Sequence, residues 1–225
     1  MSPVPLTPRL SIAADHALRV ALADRRDPTA CDAIAALVRR LEAASVPGIR
    51  NLHPGFGTLV IDFDPLVASH DQVAAAVEAA WAAAAREAPP APRVVEIPVR
   101  YGGPDGPDLD DVGRLTGLTP AEVVARHLAP LYRVAFLGFM PGFPYLTGLD
   151  PALTVPRLPH PRVLVPKGSV AIGAGQAGVY ACESPGGWRL LGRTTLDLFN
   201  AGREEPSRLR IGDAVRFVDA GGVGR

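Results

Sequence analysis

One stretch of mixed aromatic, glycine and proline residues constrains the fold of this chain more than any other. Residues 136–149 read FLGFMPGFPYLTGL and contain three Phe, one Tyr, three Gly and two Pro. An apolar run from Val134 to Phe139 begins like a buried strand and then breaks at the turn-prone Met140-Pro141-Gly142. Aromatic side chains interleaved with such residues predict a rigid apolar wall that leaves backbone accessible to a ligand. The alternative is a tight turn that plugs the end of a β-barrel.

The composition is typical of an ordinary soluble globular protein with one large domain or two small ones. Of 225 residues, 48% are hydrophobic and 20% are charged. Lys plus Arg (23) equal Asp plus Glu (23), so we expect neither a nucleic-acid nor a membrane partner. The sequence has no signal-peptide pattern and no apolar run of membrane-spanning length, which predicts a cytoplasmic protein. Cys31 and Cys182 are too few for a metal site or a disulfide framework.

The first part of the chain predicts a small α+β sandwich domain over residues 1–88. Strands are expected at residues 18–22, 49–53 and 58–63. One helix begins at Asp27-Pro28, with Asp as the N-cap and Pro at the first helical position. A second begins at Ser69, whose capping box is completed by Gln72. This order favours helices on one face of an antiparallel sheet.

A proline-rich linker and a strand-rich second domain follow. Residues 88–92 contain three prolines and predict a semi-rigid spacer, so the second domain covers residues 89–225. Thr119-Pro120 with Glu122 forms another capping box, and its helix carries His127 near the C-terminal end. The short predicted strands, at residues 94–99, 134–139, 162–165, 169–172, 178–181, 188–192 and 214–218, are typical of an all-β barrel or sandwich.

Three segments that are dense in turn residues carry the candidate polar groups: residues 136–149, 165–180 and 184–194. In a barrel such turns converge at one rim and can form a pocket. Gln176 is a candidate to orient an amide or carboxylate, or else it is a turn residue that bonds local backbone. Lys167 is either a point charge for an anion or a solvated lysine.

Further candidates and exclusions concern charge and nucleotide binding. Arg193 is expected to pair with a ligand or clamp a partner chain. His127 lies near a helix C-terminus, where the dipole favours the charged imidazole, and is an acid/base candidate. Gly173-Ala174-Gly175 resembles half of a dinucleotide loop but lacks the third glycine and the following helix. No Walker-type loop is present, and no metal site is predicted.

The motifs FLGFMPGFPYLTGL, VPKGSVAIG with QAGVY, and SPGGWRLLGRT are similar to those of the 5-oxoprolinase B-subunit family. This family is also named KipI-type or allophanate hydrolase subunit 1, and the resemblance covers roughly residues 9–218. It implies a small α+β domain followed by a cyclophilin-like β-barrel. It also implies two partner chains of the same enzyme: the C subunit, which is a paralogous barrel, and the A subunit. Together the three hydrolyse 5-oxo-L-proline to L-glutamate at the expense of ATP, which is expected to be bound by the complex rather than by this chain alone.

The resemblance carries over His127, a catalytic candidate, and the substrate-binding candidates Pro141, Gly142, Phe143, Tyr145, Gly178, Tyr180, Pro185, Gly186, Gly187 and Trp188. The other catalytic candidates, Lys167 and Arg193, and the substrate-binding candidate Gln176 rest on the chemistry of their own side chains. The chain departs from the usual family pattern at Thr147, Lys167 and Ala181. These departures affect the expected identity of the ligand and leave the expected fold unchanged.

Three functions follow from the resemblance. The first is half of a composite amide site in a 5-oxoprolinase, inactive as a single chain. The second is a binding module that inhibits a histidine kinase, with the aromatic stretch as its interface. The third is a carboxyltransferase component of a urea carboxylase or allophanate system.

Overall fold

The computed structural model describes residues 6–23, 27–84 and 91–221. The chain divides into two compact units, residues 1–91 and residues 92–225. The expected proline linker lies mostly at residues 88–90, which are outside the described residues. The assignment of two independent domains with a boundary at residue 88 stays a prediction.

The first unit is a four-stranded antiparallel sheet with two helices. Its elements are β1 (Arg9–Ala14), β2 (Ala17–Ala21), α1 (Pro28–Ala44), β3 (Ile49–Gly55), β4 (Thr58–Phe63) and α2 (His70–Ala84), and the strand order is β1-β2-β4-β3. Along β4 the side chains of Leu59, Ile61 and Phe63 are buried and alternate with half-buried ones. This period of two gives the sheet one covered face, against which α1 and α2 pack.

Both helix starts that the sequence predicts in this unit are confirmed. The Asp27 carboxylate accepts a hydrogen bond from the Thr29 backbone N–H at 2.8 Å. The Ser69 N–H donates to the Gln72 side chain at 2.8 Å, and the Gln72 N–H donates to the Ser69 hydroxyl at 3.3 Å. Strand β1 was not predicted, because it is a mostly exposed edge strand whose pattern shows no clear alternation.

The second unit contains a closed seven-stranded barrel, which confirms the predicted barrel. Its elements are β5 (Val94–Tyr101), α3 (Leu109–Thr116), α4 (Pro120–Leu128), β6 (Tyr132–Leu137), β7 (Pro144–Thr147), β8 (Arg162–Val165), β9 (Ser169–Gly173), β10 (Gln176–Val179), β11 (Ser184–Gly186), β12 (Arg189–Arg193) and β13 (Ala214–Asp219). The barrel order is β10-β7-β6-β13-β5-β12-β9, and β8 pairs with β11 in a separate ribbon. Within the barrel β13 lies parallel to β5, and the other pairs are antiparallel.

Several predicted boundaries in this unit were wrong. The strand expected to reach Phe139 ends at Leu137, because Phe139 adopts a φ of 66°, which strand residues do not take. The strand expected at residues 178–181 lies at 176–179, and Trp188 precedes β12. Helix α3 was missed because its N-cap, Asp108, makes no side-chain capping bond.

The barrel strands alternate between a packed interior and an outer face. On β10 the side chains of Ala177 and Val179 belong to the main core, together with Leu146 on the neighbouring β7. The intervening positions, Gln176 and Gly178, therefore lie on the outer face of the barrel. Across the parts of the chain that the structure describes, no helix is both long enough and apolar enough to span a bilayer.

The barrel interior should dominate the stability of this unit. Leu146 is fully buried, and we expect Leu146→Ala to lower the free energy of unfolding by about 2–5 kcal/mol because it leaves a cavity. Leu164→Ala is the matched control, since Leu164 is 59% exposed and its loss should cost less than about 0.5 kcal/mol. Urea unfolding measures both, and equal costs would contradict this assignment of the core.

Candidate functional site

The outer face of the barrel carries a group of interlocking rings, here called the aromatic cluster: Phe143, Tyr145, Tyr180 and Trp188. The Phe143 ring lies 5.1 Å from Tyr145, 5.3 Å from Tyr180 and 5.6 Å from Trp188, between ring centroids. All three contacts are edge-to-face, a geometry that favours aromatic pairs beyond the area they bury. The rings of Phe143, Tyr180 and Trp188 are buried, and the cluster joins all three turn-rich segments. An apolar wall that is accessible to a ligand stays a prediction.

Glycines on two neighbouring strands allow this cluster to lie close to the barrel wall. A Cβ atom at Gly178 would come within 2.8 Å of the Phe143 ring and 3.1 Å of the Trp188 ring. A Cβ atom at Gly173 would lie 2.8 Å from Cγ of Trp188. The Trp188 ring therefore packs directly on the backbone of β9 and β10.

The hairpin tip between β6 and β7 is strained. Phe139 has a φ of 66° and is 61% exposed, although bulky residues rarely enter the left-handed region. Backbone bonds hold it there, because the Met140 N–H donates to the Gly138 carbonyl and the Gly138 N–H donates to the Phe143 carbonyl. Its ring lies 5.6 Å from Phe143 and 6.3 Å from Tyr180. Such strain clusters at ligand-binding sites.

Other predicted site residues shape the backbone around the cluster. Gly142 has a φ of 76°, and a Cβ atom there would lie 2.6 Å from Cβ of Phe199. Gly186 lies against the Tyr180 hydroxyl, with no room for a side chain. The Gly187 carbonyl accepts a hydrogen bond from the Leu158 N–H at 2.7 Å. The remaining two, Pro141 and Pro185, are exposed.

Gln176 places an unpaired amide beside the cluster. It is only 2% exposed, and its Nε2 has neither water contact nor a hydrogen-bond acceptor among the described residues. It pairs across the ladder with Gly173, which touches Trp188, and it faces outward like Gly178. Leaving a buried polar group unpaired costs about 1–3 kcal/mol. The amide is therefore a buried donor beside the cluster, without a partner in the described part of the chain.

Lys167 and Arg193 lie together at a cationic rim. The Lys167 ammonium is 2.7 Å from Oδ1 of Asp197, and Arg203 is 2.8 Å from the other carboxylate oxygen. The Arg193 Nε donates to the Lys167 carbonyl at 2.9 Å. Bonding to Lys167 holds the pKa of Asp197 below its usual value. The adjacent Gly168 N–H donates to the Tyr180 carbonyl at 2.7 Å, which ties this rim to the cluster.

His127 lies in the barrel core and outside the aromatic cluster. Its side chain is fully buried, its Nδ1 is 2.8 Å from the Tyr101 hydroxyl, and its ring is 4.5 Å from that of Phe217. Burial lowers the pKa of His127 to about 3. The expectation of a charged imidazole is therefore wrong, because the cost of desolvating the charge outweighs the effect of the helix dipole. An acid/base role for His127 stays a prediction.

Sequence reasoning missed two arginines next to the cluster. The guanidinium carbon of Arg157 lies 5.8 Å from the Trp188 ring centroid. Arg162 on β8 pairs with Gly186 across the ribbon and forms an ion pair with Asp108. No local motif marks either residue, since their position depends on contacts distant in sequence. No group of three His, Cys, Asp or Glu that could hold a metal occurs in the described part of the chain.

Comparison with known proteins identifies the family. Residues 8–209 match the carboxyltransferase domain, subdomains C and D. The B subunit of 5-oxoprolinase from Haemophilus influenzae is 41% identical over 176 residues, 78% of each chain. The chain belongs to the carboxyltransferase domain C and D family, and its recognition as a relative of the 5-oxoprolinase B subunit is confirmed.

Two further relatives differ in how much of their length is matched. The B subunit of 5-oxoprolinase from Escherichia coli O157:H7 is 54% identical over 129 residues, which are 57% of this chain and 59% of that protein. The crystal structure of TTHA0988 superposes with a TM-score of 0.82 and 39% identity, over 92% of this chain and 40% of that one. The chain thus corresponds to less than half of TTHA0988.

Burial of His127 predicts a pH-dependent stability. The unfolded chain binds a proton at His127 below about pH 6.5, whereas the native state does not until about pH 3. Stability should therefore fall by about 1.4 kcal/mol per pH unit on acidification from pH 6 to pH 4.5 through this group alone. Urea unfolding of His127→Phe should show a flatter dependence, and the exposed-site control His160→Phe should retain the full slope. Equal slopes for His127→Phe and the unaltered chain would contradict the assignment.

The close packing of Trp188 on glycine is also testable. Gly178→Ala should lower the free energy of unfolding by about 1–3 kcal/mol, because the added methyl meets Phe143 and Trp188. Gly202→Ala is the control, since the only neighbouring atom is the Asn200 side-chain oxygen at 3.3 Å, and it should change stability by less than about 0.5 kcal/mol. A Gly178→Ala protein with unaltered stability would show that the ring does not rest on the strand.

Proposed function

We propose that this chain is one subunit of an ATP-dependent 5-oxoprolinase and that it contributes half of a composite site. The observation that carries the proposal is the buried, unpaired Gln176 amide beside the aromatic cluster. It occurs in a chain that is 41% identical to a protein named as the B subunit of 5-oxoprolinase, over 78% of both lengths. The cyclophilin-like character of the barrel, the two-domain arrangement and a cytoplasmic location belong to the same proposal.

The substrate would be held by its shape and by its lactam oxygen. Five-membered lactams are nearly flat, so the half-buried Tyr145 ring can lie against one face and exclude water. The Gln176 Nε2 donates to one lone pair of the lactam oxygen and leaves the other lone pair to attack the phosphoryl group. A donor already in place needs no reorganisation during the reaction.

Opening of the lactam requires activation, because an amide is stabilised by resonance. Transfer of the terminal phosphoryl group of ATP to the lactam oxygen releases ADP. One water then adds to the ring carbon and the C–N bond breaks, which gives an acyl phosphate. A second water releases phosphate and leaves glutamate.

The cationic rim of this chain suits the phosphate end of such a reaction. Lys167 and Arg193 meet beside Tyr180, and Asp197 holds Lys167 in a fixed position. Since the sequence has no nucleotide-binding loop, we assign the main ATP contacts to the C and A subunits. The proposal includes a catalytic role for Lys167 and Arg193. It also includes one for His127, which lies in the barrel core.

The decisive experiment is reconstitution with the C and A subunits and measurement of ADP release. We expect ADP release to depend on 5-oxoproline and on all three chains, and the single chain to have no turnover. Gln176→Leu should lower kcat/KM about 100-fold, because the lactam oxygen loses the group that orients it, while the chain keeps or gains stability.

Other results would point to the other candidate functions. Turnover by the purified single chain would refute the composite site. ADP release that ignores 5-oxoproline would favour a urea-like amide and a carboxyltransferase role. Failure to pair with the C subunit, together with capture of a histidine kinase, would favour the kinase-binding role.

A further inference from the structure

Two guanidinium groups lie on the Tyr180 and Trp188 side of the aromatic cluster. Arg157 is exposed and lies over the Trp188 ring, with 5.8 Å between its guanidinium carbon and the ring centroid. Arg162 is half-buried on β8, opposite Gly186 of β11. Gly186 lies against the Tyr180 hydroxyl, and Arg162 is its cross-strand partner in the ribbon.

The guanidinium group of Arg162 is held in place by one nitrogen, and its other terminal nitrogen has no hydrogen-bond partner in the parts of the chain that the structure describes. Its Nη2 donates to Oδ1 of Asp108 at 2.7 Å, and the other oxygen of Asp108 accepts the Leu190 N–H at 2.7 Å. Its Nη1 has no contact with water and no acceptor among residues 6–23, 27–84 and 91–221. A charged donor that is buried without an acceptor is costly, so this nitrogen is a donor that still lacks a partner within those ranges.

The Tyr180 hydroxyl is a neutral donor in the same place. Burial raises its pKa, while a hydrogen bond from the Trp188 backbone and the charges of Arg157 and Arg162 act in the opposite direction. The charges of Arg157 and Arg162 therefore both act on this hydroxyl, and Asp108 pairs with Arg162.

We propose that Arg157, Arg162 and Tyr180 form a subsite for the carboxylate of the substrate. Gln176 would take the lactam oxygen, so the site selects a cyclic amide that bears a carboxylate. A guanidinium group presents planar donors that a carboxylate accepts. This inference rests on the proposed function.

Substrate discrimination in the reconstituted complex of this chain with the C and A subunits provides the test. 2-Pyrrolidinone has the same lactam ring as 5-oxoproline but lacks the carboxylate. The ratio of kcat/KM for 5-oxoproline to that for 2-pyrrolidinone should fall at least tenfold in Arg162→Lys, which keeps the ion pair with Asp108, and in Arg157→Gln. This fall in the ratio should come mostly from a higher KM for 5-oxoproline. The control Arg126→Lys, at a surface pair with Asp150, should leave the ratio unchanged.

An unchanged ratio in both variants would overturn the proposal, as would a parallel loss for both substrates. If the complex turns over neither compound, the proposed function fails, and calorimetric binding of the same two compounds to the complex still judges the subsite. Tighter binding of 5-oxoproline than of 2-pyrrolidinone, lost in Arg162→Lys, supports a carboxylate site. Displacement of 5-oxoproline by millimolar inorganic phosphate identifies a phosphate site and overturns the assignment.

Discussion

The candidate site depends on the contact between the Trp188 ring and the glycine backbone of β9 and β10. Without side chains at Gly173 and Gly178, the ring can approach the barrel wall to van der Waals distance. The packed ring in turn gives Phe143 and Tyr145 a surface to meet edge-on and gives Arg157 a face to cover. A substitution at either glycine would therefore displace the whole cluster rather than one contact.

The alternation of each barrel strand separates structural from functional side chains. On β10, Ala177 and Val179 fill the interior, whereas Gln176 and Gly178 lie on the face that carries the rings. His127 is on the interior side of this division, where burial keeps its imidazole neutral. Its bond to Tyr101 and its ring contact with Phe217 give it a role in packing, whatever part it has in catalysis.

Local signals in the sequence were sufficient for the starts of α1, α2 and α4, for the barrel and for the ring-forming motif. The cap of Asp27 and the capping box at Thr119 each depend on neighbours within three residues, which a sequence displays directly. The environment of Arg162 could not be predicted in this way, because its partner Asp108 is 54 residues away in the chain. The prediction that His127 is charged failed for the same reason, since the burial of its side chain is decided by distant strands rather than by its own helix.

The parallel pairing of β13 with β5 has a consequence for how the protein is made. β13 lies between β5 and β6 in the barrel, and Arg93 beside β5 bonds Asp213 beside β13, 120 residues later. During translation β5 and β6 leave the ribosome long before their shared neighbour exists, so each has an open edge. Open edges invite pairing with other chains, and slow, non-local closure prolongs that exposure. Nascent chains paused before residue 214 are therefore the species most in need of a chaperone.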